Sequence, residues 1–103
     1  MHRPIYRAEE EEYQSLRSFV KQLEKPEGRV AVMLADALER ELTPRQKQMV
    51  RLYYLEQHNM RDIAEMLGVY PSTVSRTLKI ARKKLKTCLR YGSRALLSEG
   101  LDY

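Results

Sequence analysis

A chain of 103 residues has room for one small domain with a modest core. Charged residues make up 32% and aromatic residues 8%, with no Trp, four Gly and four Pro, which favours a helical globular protein over a disordered or β-rich one. The single Cys88 excludes an internal disulfide and a thiolate metal site. No apolar run approaches a membrane span and the N-terminus has no secretory pattern, so a cytoplasmic protein is expected, with no metal or cofactor.

Net charge is +5, and its distribution says more than its sum. No acidic residue lies between Glu65 and Glu99, while Arg76, Lys79, Arg82, Lys83, Lys84, Lys86, Arg90 and Arg94 fill that interval. Such an asymmetry points to a polyanionic partner, nucleic acid being the commonest in a cytoplasm.

Residues 1–8 ("MHRPIYRA") read as an extended arm. From Glu9 to about Glu24, Tyr13, Leu16, Val20 and Leu23 recur at spacings of three and four, which predicts an amphipathic helix. Its opening glutamates suit the positive end of the helix dipole. Near coiled-coil spacing, its stripe is a candidate partner or homodimer surface, with packing on the chain's own core as the alternative. "KPEGR" breaks this helix, and a second covers Val30 to about Glu41 with Met33, Leu34, Ala37 and Leu38 on one face.

In "LTPRQ", Thr43 is placed as N-cap, Pro44 as first helical residue and Gln46 as third, a capping box that opens a third helix. That helix reads through Met49, Val50, Leu52, Tyr53 and Leu55 to "EQHN". His58 near its end complements the dipole. Asn59 caps a short helix, "MRDIAEML", and Gly68 closes it in the left-handed conformation glycine tolerates best. The last helix starts near Pro71 and runs to about Arg90, with "RALLSE" adding a turn or two. The expected division is an arm and amphipathic helix over 1–28, a helical domain over 29–92 and a tail over 93–103.

Two helices joined by a short Gly-containing turn, the second one basic, form a helix-turn-helix pattern. The fold class expected is therefore all-α: a small helical domain with a helix-turn-helix, preceded by an extra N-terminal amphipathic helix. Ile63, Ala64 and Leu67 face inward, Val69 plugs the corner, and Val74 and Leu78 return the second helix to the core. On a wheel of about 100° per residue, Leu78, Ala81 and Leu85 fall within roughly 40° of Val74. Ser72, Ser75, Arg76, Lys79, Lys83, Lys86 and Arg90 fall roughly 100° to 200° away.

Short hydrogen-bonding side chains near a helix N-terminus reach base edges in the major groove, and cations further along meet phosphates. Arg76 suits a bidentate guanine contact and Thr73 a thymine methyl. With no Gly-rich phosphate loop, paired carboxylates or Cys–His or Ser–His arrangement, no catalytic residues are expected.

"ELTPRQKQMVRLYYLEQHNMRDIAEMLGVYPSTVSRTLKIARKKLK" resembles region four of sigma-70-type bacterial sigma factors, which recognises the promoter −35 element. The resemblance covers about residues 31–87. It implies that Ser72, Thr73, Ser75, Arg76 and Lys79 face the major groove and that Arg45 and Arg61 lie near phosphates. Tyr70 stands where the family usually has a capping Ser or Thr, and offers a hydroxyl to a phosphate. Arg82, Lys83 and Lys86 complete the phosphate candidates.

The resemblance also implies docking on the RNA polymerase β flap through an apolar concavity around the first two matched helices. No segment resembles the family's aromatic-rich promoter-melting domain. The expectation is thus a stand-alone DNA-binding regulator of transcription, or one subunit of a split sigma factor whose partner melts the promoter. A small bacterial family associated with the signal recognition particle also resembles region four, which makes a ribonucleoprotein or protein adaptor the alternative.

Overall fold

A computed structural model describes the backbone of residues 7–100 and the side chains of residues 9–92. The arm read over residues 1–8 and the end of the tail lie largely outside these bounds. The helices are α1 (Arg7–Glu24), α2 (Arg29–Glu41), α3 (Pro44–Val50), α4 (Met60–Leu67) and α5 (Pro71–Gly100), with a π-helical turn (Arg51–Leu55) continuing α3. No strand occurs among the described residues. The fold is all-α, as expected.

The local punctuation reads directly from residue chemistry. Gly28 opens α2 at φ 87°, a backbone geometry that side chains resist. At α3, the Gln46 amide donates to Thr43 Oγ1 at 3.1 Å and the Thr43 amide donates to Gln46 Oε1 at 3.1 Å. Both halves of the capping box therefore form, with Pro44 at the first helical position. Asn59 Oδ1 accepts from the Asp62 amide at 2.8 Å and caps α4.

Gly68 ends α4 at φ 66°, ψ 36°. There the Val69 amide donates to the Ala64 carbonyl and the Gly68 amide to the Glu65 carbonyl, the paired bonds of a Schellman turn.

α5 organises the interior. Its stripe of Val74, Leu78, Ala81 and Leu85 is at most 1% exposed, but the four residues serve two clusters. Val74 and Leu78 pack with Met49, Leu52, Ile63 and Ala64 inside the helix-turn-helix. Ala81 and Leu85 pack with Leu16, Phe19, Val20, Leu38, Leu42, Val50 and Tyr54 from the preceding helices. The helix continues by its backbone to Gly100, beyond the Arg90 end that periodicity predicts.

Three expectations change. The α1 stripe is not a free partner or homodimer surface: Leu16 is 1% and Val20 7% exposed, and Tyr13 and Leu23 pack against the same cluster. The stripe has the width of a core-facing helix, and α2, the π turn and α5 supply a matching apolar face.

On α2, Met33 is 57% exposed while Val30 is buried in its place beside Leu38. The helix leans on its first turn, and Leu34 and Ala37 lie half-buried at the edge.

In the third helical stretch Met49, Val50 and Leu52 are buried as expected, but beyond them Tyr54 is buried while Tyr53 and Leu55 are half-buried. The π turn inserts extra backbone, seen in the Glu56 amide donating to the Arg51 carbonyl at 3.0 Å, so the periodicity slips and Tyr54 swings inward. Gln57 follows the turn at φ 59°, a left-handed backbone that costs a residue with a Cβ.

Tyr13, Tyr53 and Tyr54 then form a ring cluster with centroids 4.9–5.4 Å apart, and the Tyr13 hydroxyl donates to the Tyr53 carbonyl at 3.0 Å. Such pairs add to burial when edge-to-face or offset. Cys88 is half-buried against α2, its thiol 3.9 Å from the Leu34 carbonyl. Burial first, and then Glu41, pushes that thiol's ionisation up, in keeping with a packing residue.

Two substitutions separate core packing from backbone geometry. Leu85→Ala should lower unfolding free energy by about 2–5 kcal/mol, because a fully buried leucine leaves a cavity. Gly68→Ala should cost about 1–2 kcal/mol through the left-handed backbone alone, since a Cβ there meets nothing within 4 Å. Urea denaturation of both variants measures the difference.

Candidate nucleic-acid interface

The buried stripe fixes which way the rest of α5 points. Because Val74 and Leu78 are sealed against α4 and Met49, the opposite side of the helix faces solvent. Ser72, Ser75, Arg76, Lys79 and Lys83 are all exposed there, and Thr73 is half-buried beside them. Pro71 opens the helix, and the Tyr70 carbonyl accepts from the Thr73 and Val74 amides at 2.9 and 3.2 Å. The Tyr70 side chain is thereby left 79% exposed.

Among the described residues, no carboxylate pairs with Arg76, Lys79 or Lys83. The N-terminal half of α5 thus offers hydroxyls and unpaired cations on one face. Free guanidinium and ammonium groups beside short hydroxyls can donate to base edges and phosphate oxygens.

The phosphate candidates divide into two groups. Arg45 and Arg61 are exposed at the second positions of α3 and α4, although Arg45 also donates to Gln48 Oε1 at 3.2 Å. Tyr70 and Lys83 face solvent with them. Arg82 and Lys86 instead turn toward α1, where Glu12 Oε2 lies 3.0 Å from Lys86 Nζ and Glu12 Oε1 lies 3.9 Å from Arg82 Nε.

Arg82 also interacts electrostatically with the Tyr54 phenol, and burial raises that phenol's ionisation despite the opposing pull of Arg82. Burial by itself would lower the guanidinium's own value. The interaction with Tyr54 and the neighbouring Tyr53 and Glu12 charges outweigh it, so the net shift is upward.

Lys84, another cation of the basic interval, is structural. Its ammonium donates to the Glu41 carbonyl at 2.7 Å and to Gln46 Oε1 at 3.0 Å, tying the end of α2 and the α3 cap to α5.

An open groove of about 860 Å³ lies where α1, α2 and α3 meet, lined by Leu23, Ala35, Leu38, Leu42, Pro44 and Leu55 among others. It lies beside two of the helices that the resemblance pairs with a concavity. Salt bridges Arg51–Glu24 and Lys47–Glu39 edge it. Among the described residues no His, Cys, Asp or Glu cluster has metal-binding geometry, and no helix is long and apolar enough to cross a membrane.

The family described as Sigma-70, region 4 matches residues 33–85, a little over half the chain. The chain belongs to the sigma-70 region 4 family. Region 4 is a DNA-binding helix-turn-helix domain that in general also interacts with RNA polymerase. The matched span of this region 4 domain opens within α2 and ends at Leu85, so it takes in α3, α4 and the first half of α5. It excludes α1, which nevertheless shares the core cluster of α2 and α5. No curated protein and no solved structure matches the chain.

The residues missed from sequence are Tyr54, Glu12 and Lys84. Glu12 and Lys86 stand 74 positions apart, and no local pattern announces such a pair. For Tyr54 the aromatic pair "YY" was visible, but the π turn that chooses between them was not.

The Tyr54 environment sets an alkaline limit. A phenol whose ionisation is raised in the folded state stabilises the fold below the ordinary tyrosine range, near 10.0, and that stability is lost as pH rises through the folded value. Thermal melts from about pH 8 to 11 should therefore show a steeper alkaline decline for the native chain than for Tyr54→Phe.

Proposed function

We propose that this region 4 domain is a sequence-specific DNA-binding regulator of bacterial transcription, or the DNA-reading subunit of a split sigma factor. It reads the major groove with the segment 71–90 of α5. The observation that carries the reading is the opposition of two faces on that helix, an apolar stripe sealed in the core and a solvent face of hydroxyls and unpaired cations. A helix anchored in that way presents its N-terminal side chains to base edges without bending or unfolding.

In this reading Ser72, Thr73, Ser75, Arg76 and Lys79 form the reading set. Arg76 is its principal member, because a guanidinium spans guanine O6 and N7 with two parallel hydrogen bonds. Thr73, half-buried, touches a thymine methyl with its own methyl. Arg45, Arg61, Tyr70 and Lys83 hold phosphates and set register and affinity.

RNA polymerase is the proposed protein partner. Its β flap would seat in the apolar groove between α1, α2 and α3, and a separate subunit would melt the promoter. The domain works in the cytoplasm and performs no catalysis.

Selection of bound duplexes from a random pool at near-physiological salt tests the proposal, because salt suppresses purely electrostatic binding. An enriched motif is expected. Arg76→Ala should then cost about 1–3 kcal/mol and relax preference at one or two base pairs, while Lys83→Ala should weaken all sequences alike and lower the salt slope by about 1. Equal effects of the two substitutions on every sequence would overturn the assignment of reading to the N-terminal half of α5. Absence of enrichment, together with tight binding to structured RNA, would replace the regulator with the ribonucleoprotein adaptor.

A further inference from the structure

The cations of α5 are not equivalent. Arg76, Lys79 and Lys83 have no carboxylate partner among the described residues, whereas Arg82 and Lys86, one helical turn apart, share Glu12. The Glu12 carboxylate lies 3.0 Å from Lys86 Nζ and 3.9 Å from Arg82 Nε. Behind them lies Tyr54, only 2% exposed, whose phenol interacts electrostatically with Arg82.

The arrangement is an anion cradle, with two cations in register on one helix and a two-oxygen anion between them. The anion comes from α1, which lies outside the matched family span.

The side chains of Glu12, Arg82 and Lys86 are 38%, 33% and 48% exposed. Ion pairs that wet add little to stability and exchange readily. Apolar contacts hold α1 in place, through Leu16, Phe19 and Val20, so the fold does not need the carboxylate. A phosphodiester carries the same pair of anionic oxygens as Glu12. On the helical wheel Lys86 and Arg82, roughly 120° and 80° from Val74, adjoin Lys79 and Lys83 at roughly 140° and 180°. A nucleic-acid backbone lying along the solvent face would therefore run onto the cradle.

We propose that Arg82 and Lys86 form a phosphate-binding site for the duplex backbone, which Glu12 occupies in the free protein, so that α1 competes with DNA for it. The proposal rests on the DNA-binding reading above. The unliganded chain meets DNA with Arg76, Lys79 and Lys83. Displacement of Glu12 then adds two phosphate contacts, and α1 holds non-specific affinity down.

The test is Glu12→Gln in the full chain, which keeps size and hydrogen bonding while removing charge. Fluorescence anisotropy would follow binding to a duplex of arbitrary sequence over a range of salt. Several-fold tighter binding is expected, with a salt slope steeper by up to about 2, since each phosphate neutralised contributes about 0.9.

Repeating the substitution in a Lys86→Ala background separates occupancy of the cradle from a general change in net charge, and there the gain should shrink. An equal gain in both backgrounds overturns the proposal. So does an unchanged affinity and slope in Glu12→Gln when Lys83→Ala still weakens binding, and that outcome leaves the DNA reading standing. Failure of the native chain and of Glu12→Gln to bind any duplex removes both.

Discussion

The apolar stripe of α5 is the constraint on which the molecule depends. Val74 and Leu78 close the helix-turn-helix, and Ala81 and Leu85 close the core built from α1, α2 and the α3 stretch. One rigid element therefore joins two clusters and fixes its own outer face. Helix burial is what makes a reading surface precise, because side chains near a helix N-terminus are aimed only as well as the backbone beneath them. The stripe also limits tolerance to change: burial of every member leaves little room for a substitution that conserves only hydrophobicity.

Around that spine the polar groups do different work on different flanks. On one side Lys84 bonds the Glu41 carbonyl and the capping glutamine, satisfying an acceptor at a helix end while holding three helices together. On the other, Glu12 draws Arg82 and Lys86 toward α1. Among the described residues, Arg76, Lys79 and Lys83 on the remaining face have no carboxylate partner. A count of positive charges thus overstates what is open to a polyanion, since identical side chains on one helix serve as cross-brace, internal ion pair or free donor according to the element beside them.

The extra helix α1 changes the character of the family fold. The matched region begins within α2, yet Leu16, Phe19 and Val20 lie in the same cluster as Leu38 and Leu85. Burial of these side chains enlarges a core that would otherwise be small for a domain of this length. The same packing brings an acidic side chain beside a basic helix, so stability and electrostatics are coupled through one element.

The residues that sequence placed correctly act over short range. Thr43, Pro44 and Gln46 form their capping box within a single turn, and Gly68 closes α4 at positive φ. The stripe at 74, 78, 81 and 85 follows from the helical repeat alone, and with it the outward direction of Ser72, Ser75, Arg76 and Lys79. Hydrogen bonding and periodicity within a few residues suffice for all of these. Tertiary structure decided the rest. It buried the α1 stripe internally, chose Tyr54 over Tyr53 through a π turn, exposed Met33 in favour of Val30, and paired Glu12 with Arg82 and Lys86. Each outcome depends on which surfaces meet across large sequence separations, and that is settled by competing ways of burying apolar area rather than by any local preference.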